Sequence, residues 1–159
     1  VSLTGKCALV ITKPNTNVPR GEVQLDNDQL SSLWNKNFPF YNLTADATAS
    51  GDFVAVGYQR AIAHNNKEIL ENRVELYNRS GKMLWEKGGM FGEWNLLQVC
   101  NSGRVLVYDE SCLYVLSRTG NVILKHKLPS NIRRFTRIPS RDKAIICCED
   151  GQMLVFSIK

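Results

Sequence analysis

The side chains able to do acid–base or metal chemistry are few and scattered. There are two histidines, His64 and His126. A general base needs a reacting group within hydrogen-bond reach and a partner that orients it. No carboxylate stands at a spacing that would orient either histidine, so "IAHNN" and "ILKHKLP" read as surface segments. Of five cysteines, only Cys147 and Cys148 are close in sequence. Neighbouring residues of a strand point to opposite faces, whereas joint zinc ligation favours two to four intervening residues. "KAIICCED" therefore reads as a core strand, and Glu149-Asp150-Gly151 as a hairpin turn without the alternating carboxylates of a calcium loop. No nucleophile elbow, phosphate-binding loop or zinc-protease motif is present. The expectation is a chain that is not an enzyme, with no catalytic residues, no metal and no cofactor.

Residues suited to recognition are more plentiful. "GGMFGEWN" places Met90, Phe91 and Trp94 in a glycine-rich connection, and "NFPFYNL" places Phe38, Phe40 and Tyr41 in another. Aromatic and methionine side chains are common anchors for protein partners, while the competing role for Phe91 and Trp94 is to wedge in the core. "NIRRFTRIPSRDK" gathers Arg133, Arg134, Arg137, Arg141 and Lys143 in a chain of net charge +5. That segment is either a solvated connection or a patch for acidic partners. With the single ring of Phe135 it offers no stacking platform for RNA. The polar stretch from Arg60 to Asn72 is a further candidate contact segment.

These residues must be positioned by something, and composition narrows what. At 159 residues, 43% hydrophobic and 22% charged, the chain is long enough for one domain with a substantial core. No apolar run approaches the ~18 residues of a membrane span, so no membrane insertion is expected. An odd number of cysteines in apolar runs points to a reducing compartment and a cytoplasmic location. The sequons at Asn42 and Asn78 weigh the other way. The chain opens on Val1 rather than Met, as expected of a processed protein or a piece of a longer one.

Almost every apolar segment is short, rich in β-branched or aromatic residues, and bounded by Gly, Asn, Asp or Ser, which is the all-β pattern. The exception is "NKEILENRVELY", where a helical turn running into a strand is expected. The segments repeat. "ASGDFVAVGY", "NSGRVLVYDE", "PSRDKAIICCED" and "LTGKCALVIT" are each a turn followed by a strand. Each is followed by a second strand: "GEVQLDN", "NRVELYN", "CLYVLSR" and "GQMLVFSI". "SSLWNKNF", "KMLWEKG" and "NVILKHKL" supply a third. Gly81 and Gly120 lie 39 residues apart, as do Gly103 and Asp142, whereas Gly51 and Gly103 lie 52 apart. The excess falls in "RAIAHNNKEILEN", an insertion between two strands. Units of about 40 residues built from four short antiparallel strands are propeller blades. "FVAV", "VLVY" and "AIICC" are continuous enough to be second strands sandwiched between neighbouring blades.

"VELYNRSGKMLWEKGG" resembles the hairpin of PQQ-like propeller repeats, through Leu76, Ser80, Gly81 and Trp85. "VLSRTGNVIL" keeps Leu116, Thr119 and Gly120 but has Leu124 in place of the Trp. "VQLDNDQLSSLW" keeps Leu25 and Trp34 without the Gly. WD40-like blades are an equal match in architecture, without their Gly-His and Trp-Asp signatures. The expected fold is an all-β β-propeller of about four antiparallel blades, over residues 1–40, 41–88, 89–129 and 130–159. The first blade is expected to lack its inner strand and the last its outer one, making a partial propeller within a larger one or completed from elsewhere.

The resemblance implies a non-catalytic protein-interaction scaffold in a multiprotein assembly, of the kind found in trafficking and vesicle-tethering complexes. Two alternatives stand: a PQQ-type oxidoreductase propeller, and a nucleic-acid-binding propeller using residues 133–143.

Overall fold

The computed structural model describes residues 2–3, 7–12, 20–38, 41–64, 67–92, 94–109, 112–138 and 143–158. Fifteen strands lie within them and no helix: β1 Ser2–Leu3, β2 Cys7–Thr12, β3 Gly21–Asn27, β4 Ser32–Phe38, β5 Tyr41–Ala47, β6 Phe53–His64, β7 Lys67–Asn78, β8 Met83–Gly88, β9 Trp94–Val99, β10 Val105–Asp109, β11 Cys112–Leu116, β12 Val122–Lys127, β13 Ile132–Ile138, β14 Lys143–Cys148 and β15 Met153–Ser157. They form four antiparallel meanders in strict chain order: β1–β4, β5–β8, β9–β12 and the three-stranded β13–β15. Each meander is one blade.

Two expectations are corrected here. The first blade does have a strand inside β2, since Ser2 pairs with Leu9 and Leu3 with Ala8. "KEILENRVELYN" is extended throughout, because β6 offers a partner at every step from Phe53↔Asn78 to His64↔Lys67. A continuous ladder outweighs a weak helical spacing of apolar residues.

Alternation along the second strands builds the core. Val54, Val56 and Tyr58 of β6 pack with Cys7, Leu9, Val23 and Leu25 of the first blade. Phe53 and Ala55 face the other way, against Leu97, Val99, Val105 and Val107 of the third. In β10 the intervening Leu106 and Tyr108 join Ala144 and Ile146 of the fourth blade. Both faces of β6 and β10 are thus covered, as their unbroken apolar runs require. β14 departs from the expected sandwich: Ala144, Ile146 and Cys148 are buried, but Lys143 is exposed and Ile145 and Cys147 are half-buried.

The connection between third and fourth strands is the same turn in three blades. Its first residue caps it: Asn78 Oδ1 accepts from the N–H groups of Ser80 (3.1 Å) and Lys82 (2.9 Å), and Asn27 Oδ1 does the same for Gln29 and Ser31. Ser117 Oγ plays this part for Thr119 and Asn121. Its fourth residue has positive φ: 59° at Leu30, 76° at Gly81 and 81° at Gly120. At the two glycines there is a second reason for lacking a side chain. A Cβ on Gly81 would meet the Trp34 ring at 2.8 Å, and one on Gly120 the Trp85 ring at 3.0 Å. Each tryptophan therefore lies over the turn of the next blade, and Trp85 Nε1 donates to the Arg118 carbonyl at 3.1 Å.

Candidate functional site

In a meander the connections alternate between the two ends of the sheet. The capped turns of Gly81 and Gly120 lie at one end. The opposite end gathers the β4–β5 and β8–β9 connections, the β6–β7 hairpin and the start of β13. The aromatic connections, the arm and the Arg133–Arg134 start of the basic segment therefore share this end, while Lys143 lies at the other.

The insertion is the end's most prominent part. It is an arm rather than a loop, formed by β6 and β7 running on together past the rest of their blade. β5 accompanies β6 as far as Gln59 and β8 accompanies β7 from Arg73. From Arg60 to Asn72 the two strands pair only with each other. Ile69 is 42% exposed and Leu70 56%, with Ile62 and Ala61 opposite them. The arm's base is fastened to the β8–β9 connection. Asn72 Nδ2 donates to the Gly92 carbonyl at 2.6 Å. Arg73 pairs with Glu71 at 2.5 Å and also with Glu86. The buried carboxylate of Asp109 holds the same connection from the other side, accepting from the N–H groups of Gly92 (3.1 Å) and Cys112 (2.8 Å).

The aromatic candidates divide. Phe91 is 8% exposed, set edge-on to Tyr114 with centroids 5.3 Å apart, and Phe38 is 4% exposed, 5.5 Å from Tyr58. Both rings fill gaps between blades, Phe91 in the core role named above as its competing reading and Phe38 as the last residue of β4: an apolar ring gains more from the adjoining core than from solvent. Met90 is half-buried against the same core. Phe40 lies outside the described residues, as do the side chains of Tyr41 and Trp94, whose backbones open β5 and β9.

Arg133 and Arg134 are exposed and line a cleft of about 750 Å³ together with Leu96, Tyr108, Asn131, Ile132, Phe135 and Glu149. The Tyr108 hydroxyl accepts from the N–H of Ile132 at 3.3 Å, which ties β13 to the third blade. Burial raises the Tyr108 phenol above its ordinary value, so at neutral pH it is a neutral hydrogen-bonding group. The cleft lining mixes two arginines and one glutamate with Leu96, Ile132 and Phe135.

A buried polar cluster between the first two blades was not foreseen. Glu75, 8% exposed, accepts from the hydroxyl of Tyr58 at 2.6 Å and from that of Tyr77. Burial, then the hydrogen bond to Glu75, pushes both phenols far up. Lys36 Nζ lies 4.7 Å from the Tyr77 ring centroid. The signal in sequence was faint: a lone carboxylate in the apolar run "VELY". The cysteines are thiols outside any disulfide, with Cys7, Cys100, Cys112 and Cys148 buried and Cys147 half-buried. Cys147 and Cys148 point to opposite faces of β14. Among the described residues no three His, Cys, Asp or Glu side chains are grouped to hold a metal, and no helix is long and apolar enough to cross a membrane.

Comparison with known proteins bears on the fold. No family model and no curated protein matches the sequence. Among solved structures, the chain is similar to HIRA(644-1017), with a TM-score of 0.59 and 12% identity over 95% of this chain and 50% of that one. It is similar to a eukaryotic initiation factor with a TM-score of 0.53 and 10% identity, over 99% of this chain and 42% of that one. BamB from Moraxella catarrhalis matches at 0.42 and 12% identity, over 89% and 56%. The fold is a β-propeller. This chain spans about half the length of the solved chains it resembles.

Proposed function

We propose that the chain is a non-catalytic scaffold that binds protein partners through the end of the blades carrying the arm. One observation carries this reading: Ile69 and Leu70 stand exposed on a two-stranded arm whose outer backbone edges pair with no other described strand. Exposed apolar side chains beside open strand edges are the makings of a surface that accepts a partner strand or a complementary groove. Similarity to propellers that belong to larger chains supports a place in a multiprotein assembly, of which a trafficking complex is the specific form proposed. Five cysteines held as thiols rather than disulfides support a cytoplasmic setting.

The arm gives the test. Ile69→Asp with Leu70→Asp should abolish stoichiometric partners in a native pull-down and leave the thermal unfolding curve unchanged. Full retention of partners by the folded double variant would refute the arm as the binding surface. The nucleic-acid alternative fits the cleft less well, because Glu149 lines it alongside Arg133 and Arg134 and a carboxylate repels phosphate. Binding of RNA or DNA that weakens steeply with salt and is lost in Arg133→Ala/Arg134→Ala would reverse that ranking. For the PQQ-type alternative, added PQQ and calcium should leave the unfolding temperature unmoved.

A further inference from the structure

The two long edges of the arm are not alike, and the backbone shows which residues face each. In an antiparallel strand, successive residues point their N–H and C=O groups to alternate sides. The Phe53 carbonyl accepts from the N–H of Thr48, just after β5, at 3.0 Å. Phe53 and every second residue after it in β6 therefore turn toward the β5 side. Ala61 and Ala63 belong to that set, and β5 has left β6 at Gln59. Their backbone groups lie on the open edge of the arm, while those of Ile62 turn inward to β7. On the other edge, Asn78 donates to the Lys82 carbonyl at 3.0 Å. The outward groups of β7 therefore belong to Leu70 and Glu68, and Asn72 at the base is tied to Gly92.

The side chains differ as well. Ala61 and Ala63 share a face with their partners Leu70 and Glu68, and all four are exposed. Two methyl groups beside two longer side chains leave a recess of about 580 Å³, lined by Ala61, Ile62, Ala63, Lys67 and Glu68. Among the described residues, Glu68 takes part in no ion pair. The β6 edge thus sets small side chains at the positions whose backbone is open, with an apolar group and a carboxylate one strand further in.

We propose that an extended segment of a partner protein joins the arm as an antiparallel strand along β6, exchanging backbone hydrogen bonds with Ala61 and Ala63. This rests on the reading of the arm as the binding surface and narrows its partner to a chemical class. Paired strands lie about 4.8 Å apart, so a residue of the added strand stands roughly 10 Å from Leu70 or Glu68, across an alanine. A large apolar side chain opposite Ala61 covers that alanine and meets Leu70. A lysine or arginine opposite Ala63 reaches the Glu68 carboxylate. In the antiparallel sense the cation comes first: the partner carries Lys or Arg, then any residue, then a large apolar residue. Main-chain bonds supply affinity and alternate side chains supply specificity, as in other strand additions.

The probe is a short peptide of alternating threonine and valine with one lysine two places before one leucine. On binding, amide hydrogen exchange should slow at Ala61 and Ala63 and stay level at Ile62, whose N–H already faces β7. Ala63→Pro deletes an outward N–H and spares the β6–β7 ladder. It should leave the unfolding temperature in place and weaken the peptide about tenfold. Glu68→Lys should weaken the lysine peptide roughly two- to fivefold and strengthen, by a similar factor, the same peptide with glutamate for lysine. No binding of the peptide, binding without slowed exchange at Ala61 and Ala63, or indifference of both peptides to Glu68→Lys would each overturn strand addition. So would a dimer of the chain in sedimentation velocity that Ala63→Pro dissolves, which would make a second copy the occupant. Native partners lost in Ile69→Asp/Leu70→Asp but kept by Ala63→Pro would leave the arm as the binding surface and remove the added strand. Partners kept by both variants would mean that the arm is not the binding surface.

Discussion

The second and third blade interfaces bury similar strands by different means. Between the second and third blades, Trp85 reaches from the outer strand over Gly120, within one continuous cluster that also holds Phe53, Phe91 and Tyr114. Between the third and fourth, the equivalent outer position is Leu124, and Phe135 and Phe156 of the following blade pack there beside Tyr108. Phe156 also meets His126 edge-on, at 5.2 Å between centroids. The core there divides into two clusters bridged by these two phenylalanines. Rings from the following blade stand where the tryptophan is missing, so a repeat can lose its signature tryptophan and keep a packed interface.

The largest effect that breaks this comparison is Trp85→Ala. It removes a buried ring and its hydrogen bond to Arg118, and should cost about 3–5 kcal/mol in urea unfolding. Leu124→Ala, at a half-buried position, should cost about 2 kcal/mol or less. Next comes Gly120→Ala, which adds strain at positive φ and a contact with the Trp85 ring, for about 1–3 kcal/mol. Part of that penalty should vanish when Trp85→Ala is already present; a strictly additive pair would show that the ring and the turn do not press on each other.

Leu30→Gly runs in the opposite direction. It relieves the left-handed leucine where no described ring lies over the turn, and should stabilise the chain by up to about 1 kcal/mol.

The smallest effect at neutral pH concerns the first interface, where Tyr58 and Tyr77 share Glu75. Their phenols are raised in the folded state above the ordinary value of 10.0. The folded chain therefore keeps protons that the unfolded chain releases, and stability is full below that value and falls as pH rises past it. Urea midpoints should be level up to pH ~9 and drop above pH ~10, with a shallower drop in Tyr77→Phe.

Sequence revealed the repeat because backbone demands are written in residue types: Gly81 and Gly120 at positive φ in the turns, and Trp34 and Trp85 in the strand that follows a turn. It concealed direction. Phe38 ends β4 and Phe91 sits in the connection after β8, where the path of the chain decides whether a ring meets core or solvent, and nothing in "NFPF" or "GGMFG" states that path. It also concealed the arm. "RAIAHNNKEILEN" lacks the glycine punctuation of the other hairpins, and its ladder depends on two strands that each look weak alone. Glu75 escaped notice because its two phenolic partners are distributed over β6 and β7, and only pairing brings Tyr58 and Tyr77 to one carboxylate.

In β10, successive residues answer to different neighbours: Val105 and Val107 to the blade before, Leu106 and Tyr108 to the blade after. A slip of one residue would deliver every side chain to the wrong address. The strand thus works as a parity check on the whole arc: two interfaces must both be right, or neither is.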